Sequence, residues 1–133
     1  MKKKKFSILS VIILLLFILL YMFFIYSNGF DITIKNKTNV QIDGLRLTYN
    51  GIKKDIEIPS IKSNAVYSIN INPQEEFGEN SMKIYYMDKL GNRNEETIIG
   101  YFEKGYSGKV FIDIVSIDLS EKITFKVTEK MLE

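Results

Sequence analysis

Phe30-Asp31-Ile32-Thr33-Ile34-Lys35 alternates apolar and polar side chains without a break. A period of two places Phe30, Ile32 and Ile34 on one face of a strand and Asp31, Thr33 and Lys35 on the other. A helix would need apolar residues at i, i+3, i+4 and i+7. No segment after Gly29 keeps that spacing over three turns. Asn36-Lys37-Thr38-Asn39 reads as a turn, and Val40 and Ile42 lead on to Asp43-Gly44. After Gly44 the apolar parity switches to Leu45, Leu47 and Tyr49, which predicts a bulge or tight bend. Asn50-Gly51 signals a hairpin. Lys54, Ile56 and Ile58 then alternate with Asp55 and Glu57 as far as Pro59-Ser60, and Ala65, Tyr67, Ile69 and Ile71 form the next run.

Asn72 to Ser81 reads as a polar loop. Met82, Ile84 and Tyr86 then face one way, and Lys83, Tyr85 and Met87 the other. Asp88 to Asn92 makes a turn. Glu96 to Phe102, with Ile98-Ile99 at its centre, and Lys109 to Ile117 are apolar on both parities. That pattern predicts central strands buried on both faces. Ile123, Phe125 and Val127 give a final strand. Seven or eight strands, with turn signals about every 8–12 residues, predict an all-β sandwich over residues 30–128, with a charged tail at 129–133. A small open barrel is the alternative. In strand count alone the domain resembles immunoglobulin-like and fibronectin III-like modules. The Cys…Trp…Cys landmark of antibody domains is absent.

The segment before the strands is different in kind. Lys2, Lys3, Lys4 and Lys5 precede Phe6 to Tyr26, a run with no charge, Gly or Pro. Its 21 residues would make a helix of about 31 Å, close to the ~30 Å hydrocarbon core of a bilayer. Tyr21 and Tyr26 sit where an interfacial aromatic belt belongs. The expectation is a cytoplasmic cluster at 1–5, a signal-anchor helix at 6–26 and a linker at 27–29. The positive-inside rule then places the domain outside the cytoplasm. The competing reading is cleavage near Gly29 and secretion, since Ser27-Asn28-Gly29 offers small residues.

Charge and composition narrow the chemistry. The chain has 133 residues, with 18 Lys and Arg against 16 Asp and Glu. Four of the basic residues are Lys2 to Lys5, so the other 14 face all 16 carboxylates in the strand-rich part. The small positive net charge therefore reports topology, and nucleic acid is not an expected partner. There is no Cys and no His. This excludes disulfides, thiolate nucleophiles, imidazole bases and His- or Cys-ligated metals. No metal site and no cofactor are expected. The Glu75, Glu76 and Glu79 group and the Glu95-Glu96 pair read as solvated loop charge, and the spacing of a calcium-binding loop is absent.

Gly105-Tyr106-Ser107-Gly108-Lys109 is neither G-x-S-x-G nor a P-loop. A Ser107–Lys109 dyad would need a desolvated lysine, and a glycine-flanked loop end does not supply one. As a hairpin tip between two strands, the segment is instead the candidate contact surface. Lys104, Tyr106, Ser107 and Lys109 are its residues, because tyrosine offers large contact area at low entropic cost. Asn36-Lys37-Thr38 is a formal glycosylation sequon. The functional expectation is a non-enzymatic, membrane-anchored extracytoplasmic module that binds a protein or envelope partner, as an accessory or immunity-type protein. The alternative is a structural subunit of an envelope complex that assembles through its helix. That helix lacks small-xxx-small spacing.

Overall fold

The computed structural model describes residues 8–26 and 28–132, with side chains described over 10–23 and 28–132. One helix, α1 (Ile8–Tyr26), precedes eight strands: β1 (Phe30–Asn36), β2 (Arg46–Tyr49), β3 (Ile56–Glu57), β4 (Val66–Ile71), β5 (Asn80–Met87), β6 (Arg93–Phe102), β7 (Ser107–Ile117) and β8 (Ile123–Leu132). They form two four-stranded sheets, ordered β4-β1-β7-β8 and β3-β2-β5-β6. Neighbouring strands are antiparallel except β1 and β7, which run parallel from Phe30 opposite Gly108. Immunoglobulin domains follow an A-B-E-D over C-F-G order. Here β1 pairs with β4 and β7 and not with β2, so the strand order departs from theirs.

Alternation explains the core. Phe30, Ile32 and Ile34 of β1 and Val110, Ile112 and Ile114 of β7 meet Leu47, Met82, Ile84 and Ile99 of the facing sheet in one buried cluster. Tyr85 is on the outward parity yet buried, because the Arg93 guanidinium lies 3.7 Å from its ring centre. Its hydroxyl donates to Asp55, which also accepts from Thr48 at 2.7 Å. The Tyr85 bond, then the Thr48 bond, holds the Asp55 carboxyl below its ordinary range.

Two strands differ from expectation. β7 is central in its sheet, but only its inward face is buried, and Phe111 and Val115 on the other face are exposed. β6 is an edge strand. Its Ile98-Ile99 pair is buried because β6 carries extra residues against β5: Asn80 pairs with Phe102, Met82 with Ile99 and Lys83 with Thr97. Such bulges reset the parity, so adjacent residues both turn inward. The stretch around Val40 and Ile42 contributes only a bridge from Ile42 to Ile61. β8 continues to Leu132, so the expected tail at 129–133 is strand over its described residues.

Side-chain bonds hold the Asn36-Lys37-Thr38 segment in place. Asn36 is fully buried. Its Nδ2 donates to the carbonyls of Val40 (2.8 Å), Ile61 (3.0 Å) and Lys62 (3.2 Å). Its Oδ1 accepts from the Thr38 N–H at 2.9 Å and the Thr38 hydroxyl at 2.7 Å.

The two ends of the domain are built differently. At one end the Asp88–Asn92 and Asp118–Lys122 turns lie side by side, joined by a Lys89–Glu121 ion pair at 2.5 Å. At the other, Phe102 sits among Phe30, Phe77 and Tyr49, with ring centroids at 5.1, 5.4 and 6.2 Å. Phe77 thus folds the polar 72–81 loop onto the core. This second end also carries Gly29, where the chain arrives from α1, whose carbonyl accepts from the Gly108 N–H at 3.1 Å.

Among the described residues α1 packs against no strand. Its side chains are described over only 14 residues, about 21 Å of helix. Among the described residues no helix is long and apolar enough to cross a membrane.

Candidate functional site

The outer edges of β6 and β8 border one another, one from each sheet, where the sandwich is open. The Gly100 N–H reaches across to Glu129 Oε2 at 3.4 Å. Beside that link lies a groove of about 800 Å³, lined by Gly100, Tyr101, Gly105, Tyr106, Ser107, Glu129, Met131 and Leu132.

Local sequence shapes each wall. Gly105 turns the β6–β7 hairpin with φ of +87°, and the Tyr106 N–H closes it on the Glu103 carbonyl at 3.1 Å. Gly108 lets β8 approach closely, since a Cβ there would lie 2.8 Å from the Lys130 carbonyl oxygen and 3.3 Å from Met131 Sδ. Tyr101 and Tyr106 pack edge to face, centroids 6.1 Å apart and planes at 71°. Both remain exposed, at 44% and 40%, and Leu132 is 54% exposed. Glu129 pairs with buried Val110 and so occupies the inward parity of β8, in line with Ile123, Phe125 and Val127. A charge on the inward parity of an edge strand discourages further strand pairing. The same carboxylate gives the groove its negative charge.

The Tyr101 hydroxyl donates to Glu103. That bond, then desolvation, then the charges of Glu103, Tyr106 and Glu79 push the Tyr101 phenol up to about 12. The Tyr49 and Tyr85 phenols are raised as well, so an ultraviolet phenolate titration should show a high-pH fraction that loses one tyrosine in Glu103→Gln, as Tyr101 moves from about 12 toward about 10. An unchanged curve in that variant would refute the assigned bond.

Tyr106 and Ser107 of the expected surface line the groove, but the lysines do not join them. Lys104 pairs with Glu76 and lines a neighbouring hollow with Asn28, Asn72, Gln74 and Gly105. Lys109 is exposed opposite Lys130 on the β7–β8 pair. Ser107 and Lys109 therefore do not share the groove as a dyad. Tyr21 is exposed on α1. Lys2, Lys3, Lys4 and Lys5 and the side chain of Tyr26 lie outside the described residues.

Tyr101, Glu129, Met131 and Leu132 are absent from the sequence-derived set. Glu129 alone had a visible signal, a carboxylate interrupting the parity Ile123-Phe125-Val127…Met131. Among the described residues no group of three or more Asp and Glu side chains is placed to hold a metal ion.

No family model matches the chain. No curated protein matches it. A protein from Eubacterium rectale solved by NMR is similar in structure, at 14% identity, over 76% of this chain and 88% of that one, with a TM-score of 0.44.

Proposed function

We propose that the chain is a membrane-anchored, non-enzymatic binding module whose domain stands outside the cytoplasm and engages its partner through the β6–β8 groove. The observation that carries the reading is the groove itself. Two exposed tyrosines, Met131, Leu132 and one carboxylate gather on an edge that the two sheets leave open. Aromatic and Met side chains are enriched at contact surfaces.

Anchoring draws on the chemistry of α1. Val11 to Phe23 are each 45–75% exposed and none is charged. Leaving them in water would cost on the order of 10–20 kcal/mol, so a lipid environment is the natural cover. The basic residues Lys2 to Lys5 set the direction. Anchoring is favoured over secretion because Gly29 belongs to the folded domain through the Gly108 bond. Cleavage after it would remove that acceptor.

The chain has no Cys, which permits a clean labelling test with single cysteines at Lys4, Leu119 or Leu132. A membrane-impermeant maleimide should label Leu119→Cys on intact cells, and Lys4→Cys only after lysis. Leu132→Cys in the groove should be protected in cells and labelled readily in the purified chain. The opposite sidedness, or equal reactivity of Leu132→Cys in both settings, refutes the reading.

A further inference from the structure

We propose that the β6–β8 groove receives the ammonium group of a lipid head group from the bilayer that holds α1. This inference rests on the anchored reading above and names the ligand of the same groove.

Four observations carry it. The first is charge. Glu129 is the charged side chain among the described lining residues, and no Lys or Arg is among them. One of its oxygens takes the Gly100 N–H at a long 3.4 Å. A carboxylate has about four lone-pair sites, so most of its accepting capacity is free for an ammonium donor.

The second is the wall material. The Tyr101 and Tyr106 planes stand at 71° and make a corner. Aromatic faces attract cations within about 6 Å of the ring centroid. Aromatic rings with a carboxylate suit a cation better than a neutral or anionic group. The third is the surrounding field. Glu79 and Glu103 both act on Tyr101, Lys104 is already paired with Glu76, and Lys130, between Glu129 and Met131, lies over the exposed Phe111 ring on the outward face. An anionic head group would be repelled from this mouth.

The fourth is position. Four Cα steps separate Tyr26 at the end of α1 from Phe30, no more than about 14 Å even when fully extended. Phe30 lies opposite Gly108, and Ser107 lies opposite Leu132. Chain connectivity alone therefore holds the groove's end of the domain close to the membrane surface. A lysine side chain of a protein partner offers the same ammonium chemistry, but it would have to enter where lipid head groups are already concentrated.

The test uses the full-length chain in nanodiscs with ¹³C-methyl methionine, the Met131 signal being assigned through Met131→Leu. Ethylammonium chloride is titrated against 1-propanol, its uncharged analogue, at constant ionic strength. The expected result is a saturable Met131 shift with ethylammonium only. Glu129→Gln keeps the side-chain shape and should weaken it about tenfold or more. Tyr106→Leu should weaken it as well, with far-UV circular dichroism confirming the fold of each variant. Nanodiscs containing phosphatidylethanolamine should shift Met131 relative to pure phosphatidylglycerol nanodiscs in the same direction as ethylammonium.

No response to ethylammonium, or an equal response to propanol, overturns the cation site. A response to free ethylammonium with identical spectra in the two lipids overturns the lipid source and points to a protein lysine. Extraction of the chain from membranes by alkaline carbonate is scored separately and refutes the anchored reading itself.

Discussion

Asn36→Ala should lower the thermal midpoint of the domain by about 15–25 °C, measured by circular dichroism or calorimetry. Asn36 is an amide sealed in the core with both ends engaged. Removing it orphans the Thr38 N–H and takes one of two donors from each of the carbonyls of Val40, Ile61 and Lys62, which keep the Thr38 hydroxyl, the Ile42 N–H and the Ala65 N–H. Each unsatisfied buried group costs about 1–3 kcal/mol. The orphaned N–H and three lost amide bonds, each of about 0.5–1.5 kcal/mol net, bring the expected total to about 3–4 kcal/mol. A domain of this size loses about 4–8 °C per kcal/mol, and total stabilities are only about 5–15 kcal/mol. Thr38→Val removes the hydroxyl and leaves the amide bonds, so it should cost about 1–2 kcal/mol. Equal effects of the two variants, or a midpoint within about 3 °C of the parent for Asn36→Ala, would show that the amide is not the staple. The same burial leaves no room for a glycan, so chains that carry one at Asn36 should fail to fold.

Asn36 marks the point where the alternation of β1 no longer decides the structure by itself. Alternation depends only on neighbours along the chain. It therefore placed Phe30, Ile32 and Ile34, Leu45, Leu47 and Tyr49, and Met82, Ile84 and Tyr86 on the correct faces. Asn36 continues the inward parity of β1. A polar residue on that parity means either the end of the strand or a buried staple, and choosing requires knowing that Ile61 and Lys62 return beside it. Ile98-Ile99 poses the same problem. Two adjacent apolar residues fit a strand covered on both faces or an edge strand with a bulge. Only the β5 register, with Lys83 opposite Thr97, decides for the bulge.

The groove was half legible for a related reason. Tyr106 and Ser107 lie in a glycine-rich tip that local composition exposes. Tyr101 and Glu129 reach the groove through pairings made elsewhere, by β6 with β5 and by β8 with β7. Lys104 and Lys109 are near Tyr106 in sequence but are carried out of the groove. One leaves through its bond to Glu76 and the other through its place opposite Lys130.

Gly29→Ala should be the second severe substitution, costing about 3–4 kcal/mol in chemical denaturation. Gly29 has a φ of +91°, and a Cβ there would fall 2.5 Å from the Ile71 carbonyl oxygen and 2.8 Å from Asn72 Cα. The obstacles are backbone, so no rotamer change relieves them. Retreat in the other direction would break the Gly108 N–H bond to the Gly29 carbonyl. The left-handed conformation alone costs an L-residue about 1–2 kcal/mol, and overpacking adds about 1–3 kcal/mol. Gly44→Ala separates the two terms. Its φ is +75°, but nothing lies within 4 Å of the added carbon, so it should cost only the conformational part. If the two variants are equally stable, the close approach of Gly29 to Ile71 and Asn72 is wrong. If Gly29→Ala is the worse by about 1–3 kcal/mol, the residue joining helix to sandwich is a fixed point of the fold. The groove end, tied to Gly29 through Gly108, then stays within three residues of chain from the end of α1.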